Sequence, residues 1–263
     1  MGKEKNSNKV YVYDGSYEGL LTALYRAFKK REIPVKILSH SDFREDLFYK
    51  KEKIDTKTEK VEFFSKQIKE NISAQALNNT FHCYLSEAEK MELYIFRYLF
   101  TGFKKGKKVD EFLTRDYVRM VQDLAHKVRH ESHRLKGLIR LQEAAGGKYY
   151  AAVEPDYKTL ILLAPHFKNR FSNMDWIIHD KKRAEAIIYS ASEQEWLLIE
   201  LDKEFEPELS QQEEEVQNLW RSYFSAASIK NRKNRKVQQQ FMPKKYWKHL
   251  IENPGSSRNY KLK

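Results

Sequence analysis

Histidine, carboxylate and arginine side chains gather in three short stretches that could support proton transfer or anion binding. In the first, His126, His130 and His133 stand four and three residues apart, with Arg129, Arg134, Lys136 and Arg140 among them. On a helix this spacing puts imidazoles on adjacent turns of one face, an arrangement a metal could use. A structural zinc takes four ligands, and no thiolate or carboxylate partner is evident nearby. Anion contact is therefore the stronger reading, and no metal site and no cofactor are assigned. The second stretch, APHFKNRF, carries His166 and Arg170 one helical turn apart. The third, WIIHDKKR, carries His179, Asp180 and Arg183. A histidine beside an aspartate can do acid–base work if the carboxylate orients the ring. Neighbours on an extended chain point to opposite faces, however, which weakens that dyad. With Glu131 added, the candidate catalytic set is Glu131, His133, His166, His179 and Asp180. The chain has no GxSxG elbow, no Walker phosphate loop, no HExxH and no GxGxxG, so the sequence leaves open whether this is an enzyme.

The strongest physical signal is charge. The 263 residues carry a formal charge of +12, and residues 216–251 contain no Asp or Glu. Within that span Lys230, Arg232, Lys233, Arg235 and Lys236 form a basic run, and Lys244, Lys245, Trp247 and Lys248 follow in an aromatic and basic turn. Residues 185–215 are by contrast acidic, so the remainder is more basic than the total implies. Uncompensated positive charge favours a polyanion, nucleic acid first and an anionic membrane surface second. Lysines and arginines neutralise phosphates, and exposed tyrosine or tryptophan can stack on bases. The candidate nucleic-acid contacts are Arg134, Arg140, Arg170 and Arg183 together with this closing segment. Whether Tyr246 and Trp247 stack on bases or belong to the core stays open.

Several elements must position these residues. Residues 10–13 read as a strand, Ser16 as a helix cap, 17–30 as a helix and 35–38 as a second strand, which makes a small α/β unit. Residues 43–60 read as a charged surface excursion and 61–77 as a helix. Ser86 and Glu89 match a capping box that would open a helix ending at Gly102. Residues 109–143 read as one long helix with an apolar seam through Tyr117, Val121, Leu124, Val128, Leu135 and Leu138. Glu131 falls in that seam and needs a partner, for which Arg134 is near enough. Gly137 in mid-helix suggests close approach of another backbone or a ligand, or packing.

Beyond Gly146 and Gly147, residues 149–153, 160–163, 176–179, 184–189 and 196–201 read as strands. A helix is expected at 165–171, another at 213–227 and a last one opened by Pro243. The fold class expected is α+β. A small α/β unit and helices, one of them long, come first, and a mostly antiparallel sheet with packed helices follows. The chain forms one large domain or two packed lobes, 1–145 and 146–263.

Cys83 is the only cysteine, which excludes a disulfide framework, a CxxC zinc site and an iron–sulfur cluster held by this chain. The opening MGKEKNSNK has no apolar signal core, and no run approaches the ~20 apolar residues that cross a bilayer. A cytoplasmic location without membrane association is expected.

KVYVYDGSYEGLLTALYRAF, VRHESHRLKGLIRLQE, YYAAVEPDYKTLILLAPHFKNRF, WIIHDKKRAEAIIY, LWRSYFSAASIKNRKN and QQFMPKKYWKHL together resemble a bacterial family of DNA metabolism proteins. Its members contain the uncharacterised domain DUF4130. The resemblance covers nearly the whole chain. It departs from the family pattern after Glu131, His133 and Arg134, where Leu138-Ile139-Arg140-Leu141 replaces an aromatic-rich motif. The resemblance implies a role in DNA repair or modification. It also implies a radical SAM protein as partner and a link to uracil-DNA glycosylase domains, with any iron–sulfur cluster residing in the partner. The expected function is a DNA-binding accessory protein. An enzyme acting on DNA or nucleotides and a protein adaptor without nucleic-acid contact are the alternatives.

Overall fold

The computed structural model describes residues 5–45, 47–227 and 234–251. The chain divides into two compact units, Met1–Arg129 and His130–Lys263.

The first unit is built on a short parallel sheet. β1 (Lys5–Asn6) is followed by β2 (Lys9–Tyr13), whose alternating valines and tyrosines suit a pleated strand. Val10, Tyr11, Val12 and Tyr13 are all buried, as in a strand covered on both faces. Ser16 then caps α1 (Tyr17–Lys30), its hydroxyl accepting from the Gly19 amide at 2.9 Å. β3 (Glu32–Ile33) pairs with β1. β4 (Lys36–Ser39) lies parallel to β2, with Val12 opposite Leu38, which completes the expected strand–helix–strand unit.

The other edge strand was not expected. β5 (Lys50–Lys53) reads KKEK and lies inside the presumed surface excursion, parallel to β2 in the order β4-β2-β5. Its Glu52 meets Arg26 and also Lys30 and Lys9, at 3.1 and 3.2 Å. Charge on an edge strand discourages pairing with another chain, and here it is matched from α1 and β2.

Helices complete this unit. In place of one helix over 61–77 there are two, α2 (Thr58–Asn71) and α3 (Ala74–Tyr84), because Ser73 caps the second by accepting from Ala76 N at 3.0 Å. The capping box does not form. Ser86 Oγ donates to Cys83 O at 2.6 Å, and α4 (Met91–Lys105) begins after Lys90 in a left-handed conformation, φ 64°. Nor does Gly102 end α4. It is buried within the helix, where a Cβ would lie 2.5 Å from Ile72 Cδ1. A 3-10 turn (Gly106–Glu111) leads to α5 (Asp116–Leu138), shorter at both ends than the long helix expected.

The last turns of α5 belong to the second unit. β6 (Gln142–Glu143) turns through Gly146 and Gly147, at φ 89° and 75°, into β7 (Tyr149–Val153). The expected strand at 160–163 is instead the start of α6 (Leu160–Arg170). Leu160, Leu163, Ala164 and Phe167 are buried, a helical spacing that Pro165 does not break. α6 links β7 to the parallel β8 (Trp176–Asp180), as a parallel pair requires. β9 (Glu185–Ser190) and β10 (Glu195–Glu200) add antiparallel strands, giving the order β10-β9-β8-β7-β6. The expected α+β class with a mostly antiparallel sheet is therefore the class observed.

α7 (Gln211–Ala227), α8 (Arg235–Phe241) and a closing 3-10 turn (Lys244–His249) follow, the turn standing where a last helix was expected. Among the described residues no helix is long and apolar enough to cross a membrane.

Gly102→Ala should destabilise the protein by about 1 kcal/mol, since overpacking outweighs the gain in helix propensity. Ile72→Ala should remove much of that penalty. Urea unfolding of both single variants and the double variant measures the coupling.

Candidate functional site

Glu131 on α5 is only 4% exposed, and four donors meet it. Oε1 accepts from Lys245 Nζ and Tyr246 Oη at 2.6 Å each and from the Asp156 amide at 3.0 Å. Oε2 accepts from the Tyr157 amide at 2.9 Å. The expected partner, Arg134, is turned elsewhere and donates to Gln240 O at 3.0 Å. Lys245 also pairs with the Asp156 carboxylate. Burial disfavours its ammonium, but Asp156 and Glu131 outweigh that and hold it above the ordinary lysine range.

The network extends to Asp180 on β8. Arg183 donates to Asp180 Oδ2 at 2.9 Å, to Pro155 O at 3.1 Å and to Asp156 O at 2.8 Å. Burial pushes the Asp180 carboxyl upward, and Arg183 opposes the shift. Glu131 and Asp180 are thus linked through the loop after β7, each already supplied with donors.

His179 faces the other way from its neighbour. It is fully buried, and its Nδ1 lies 2.9 Å from the Tyr150 hydroxyl. Burial and then Lys181 lower its pKa. His133 is exposed. His166 is half-buried on α6, its pKa lowered by burial and by Lys136 and Arg170. The alternation that weakened the His179–Asp180 dyad in sequence separates the two side chains in the fold. Among the described residues no group of three or more His, Cys, Asp or Glu is placed to hold a metal. Cys83 is buried, and burial pushes its thiol up to about 12, which suits neither a nucleophile nor a ligand.

A cavity of about 270 Å³ in the same unit gathers residues from six segments. Arg140, Lys181, Arg221 and Lys248 bring positive charge, Glu154 and Glu206 bring negative charge, and His249 stands beside them. Lys248 pairs with Glu154, and Lys181 pairs with Glu206 at 2.6 Å. Arg221 donates to Asn218 Oδ1 at 3.0 Å and to Gln217 Oε1 and Ile251 O at 3.3 Å, all neutral oxygens. Arg140 donates to Gly137 O at 2.7 Å. Gly137 itself has open space where a Cβ would stand, so close approach does not explain that glycine. Burial, then Lys248, lower the His249 pKa to about 4 against the pull of Glu154. None of the five catalytic candidates lines this cavity.

The nucleic-acid candidates divide. Lys245, Lys248 and Arg183 are occupied by carboxylates of this chain. Arg170 lies over the Phe171 ring at 5.5 Å. Tyr246 is core, and half-buried Trp247 donates its indole N–H to Met242 O at 2.8 Å. Arg235, Lys236 and Lys244 are exposed and make no ion pair among the described residues. Lys230, Arg232 and Lys233 lie outside the described residues.

The outer face of α7 is a feature that sequence reasoning did not single out. Ser210 and Glu213 anchor its first turn, with Glu213 Oε2 accepting from Glu143 N at 3.0 Å. Beyond that turn Val216, Leu219, Trp220, Tyr223 and Phe224 stand exposed in one row, Leu219 at 70% and Tyr223 at 63%. Helical spacing in residues 216–224 was the available signal, and it reads equally well as a core face. Glu154, Lys181, Glu206, Arg221 and His249 were missed because no local motif joins them.

A family model described as a domain of unknown function, DUF4130, matches residues 89–252. That span takes in the Glu131 network, the cavity and the α7 row. No curated protein and no solved structure matches the chain.

Two outcomes test this geometry. Glu131→Gln should lower stability by about 3 kcal/mol, because it removes the charge that Lys245 faces and puts an NH2 donor in place of one of the two accepting oxygens. Urea unfolding measures it. For His249, the folded pKa of about 4 lies below the ordinary 6.5, so the unfolded chain binds the extra proton. Its contribution is complete above pH ~6.5 and is lost as pH falls towards ~4. His249→Gln should flatten the stability–pH curve within that window.

Proposed function

Since this chain belongs to the DUF4130 family, we propose that it is a DNA-binding protein of bacterial DNA repair or modification, acting as accessory to a radical SAM partner. One observation carries the reading. α7 exposes Trp220, Tyr223 and Phe224 at the head of a span, residues 216–251, that has no carboxylate. Aromatic rings beside cations are the two components of a single-strand platform, rings for bases and cations for phosphates. Arg235, Lys236 and Lys244 supply exposed charge that no carboxylate among the described residues offsets. The family resemblance supplies the DNA pathway and the radical SAM partner.

The enzymatic alternative draws no support from Glu131, His133, His166, His179 and Asp180. Two of them hold structural networks, His179 is sealed against Tyr150, and His133 is in solvent. The adaptor alternative has one observation in its favour: Val216 and Leu219 stand in the same row as the rings. Aliphatic side chains add nothing to base stacking but suit a protein contact, so the row also serves the partner.

Fluorescence anisotropy with a labelled single-stranded oligonucleotide tests the reading. Affinity should fall with salt by ~0.7 in log–log slope per phosphate neutralised. Trp220→Ala with Tyr223→Ala should cost about 1–3 kcal/mol per stacked base. Arg235→Glu with Lys236→Glu should weaken binding to all sequences alike. No detectable binding at low salt would sink the proposal.

A further inference from the structure

We propose that the basic cavity of the second unit binds a phosphate monoester, the group carried by a nucleotide or by the end of a nucleic-acid strand; its strand-end form rests on the DNA-binding reading above. The cavity measures about 270 Å³, room for a phosphate with part of its sugar. Its lining sets four cationic side chains against two carboxylates. That excess matches the charge of a monoester, about −1.5 to −2 at neutral pH, better than the single charge of a diester.

The lining also has donors to redirect. Arg221 gives its N–H groups to neutral oxygens at 3.0–3.3 Å. A phosphate would replace these with shorter, charge-assisted and bidentate bonds, for which a guanidinium is the suited group. Lys181 and Lys248 each hold one carboxylate from the cavity wall and can turn a further N–H to an anion. His249 Nε2 is buried without a hydrogen-bond partner, 3.5 Å from Glu154 Oε1. Burial first, and then Lys248 and Lys181, press its ring towards the neutral form, and Glu154 presses the other way. A bound dianion tips that balance towards imidazolium, so binding takes up a proton.

Two sources of the group are separated by the choice of probe. The full-length protein is titrated with inorganic phosphate, dAMP and deoxyadenosine, followed by thermal shift and by the His249 imidazole resonances. In parallel, anisotropy compares one single-stranded oligonucleotide bearing a terminal phosphate with the same strand ending in hydroxyls. A response to dAMP and not to deoxyadenosine marks the cavity as a nucleotide site. A preference of about tenfold for the phosphorylated strand, the size of one charge-assisted hydrogen bond, marks it as a strand-end site. In either case Arg221→Gln should abolish the difference, and Lys181→Gln should reduce it.

Equal behaviour of the paired probes, with no movement of the His249 resonances, overturns the proposal. If DNA of either kind fails to bind while dAMP still does, the DNA-binding reading fails and the cavity assignment stands.

Discussion

A carboxylate out of reach of water has to be met by the protein, and Glu131 is that carboxylate. Taking one such ion from water costs several kcal/mol unless donors replace its hydration. Here the replacement is complete: an ammonium, a phenol and two backbone amides. Those donors come from the loop after β7 and from the closing 3-10 turn, far from α5 in sequence. Satisfying one charge therefore sets the position of three segments. With Lys245 and Tyr246 held, the next turn has little freedom, and Lys248 and His249 fall against Glu154. The cavity wall is in this sense a consequence of the Glu131 network.

What could be read from the sequence was what short-range physics decides. The β2–α1–β4 unit follows from a β-branched and aromatic run, a serine cap and a 3.6-residue apolar period, all within forty residues of one another. The seam of α5 was equally plain, since Val121, Leu124, Val128 and Leu135 are all buried. The failures have a common cause, which is that distant partners decided the outcome. KKEK is a poor strand in isolation and a good edge strand once Arg26, Lys30 and Lys9 surround Glu52. Residues 160–163 are apolar throughout, so periodicity cannot separate a buried strand from a buried helix there. At Glu131 the sequence showed that a partner was needed, and proximity suggested Arg134. The fold supplied Lys245 instead, 114 residues away.

The candidate site was legible only as a sum of charge. A stretch without acids looks like free positive charge, but carboxylates elsewhere in the chain can reach it. Lys245 and Lys248 lie inside that stretch and are met by Glu131, Asp156 and Glu154. Part of that stretch is therefore a structural clasp, while Arg235, Lys236 and Lys244, among the described residues, are offered to solvent. Composition cannot make that division, because it depends on which residues the sheet and the final turn bring together. The same holds for the cavity, whose lining is drawn from six segments with no shared motif.

α7 presses the argument one step further. Its first turn is tied to β6 through Glu213, whose other oxygen accepts from Gln217 of the same helix, and the row from Val216 to Phe224 faces outward. A helix draws most of its stability from packing an apolar face, not from intrinsic propensity. Trp220 and Tyr223 lie against each other, ring centroids 5.7 Å apart, and so recover only part of that packing. Exposed large side chains in one contiguous row, beside a segment without carboxylates, are costly to keep unless something covers them. The residues that look least useful to this unit's own fold are therefore the ones on which an outside contact depends. The Glu131 clasp holds the remainder of the unit in place whether or not that contact is made.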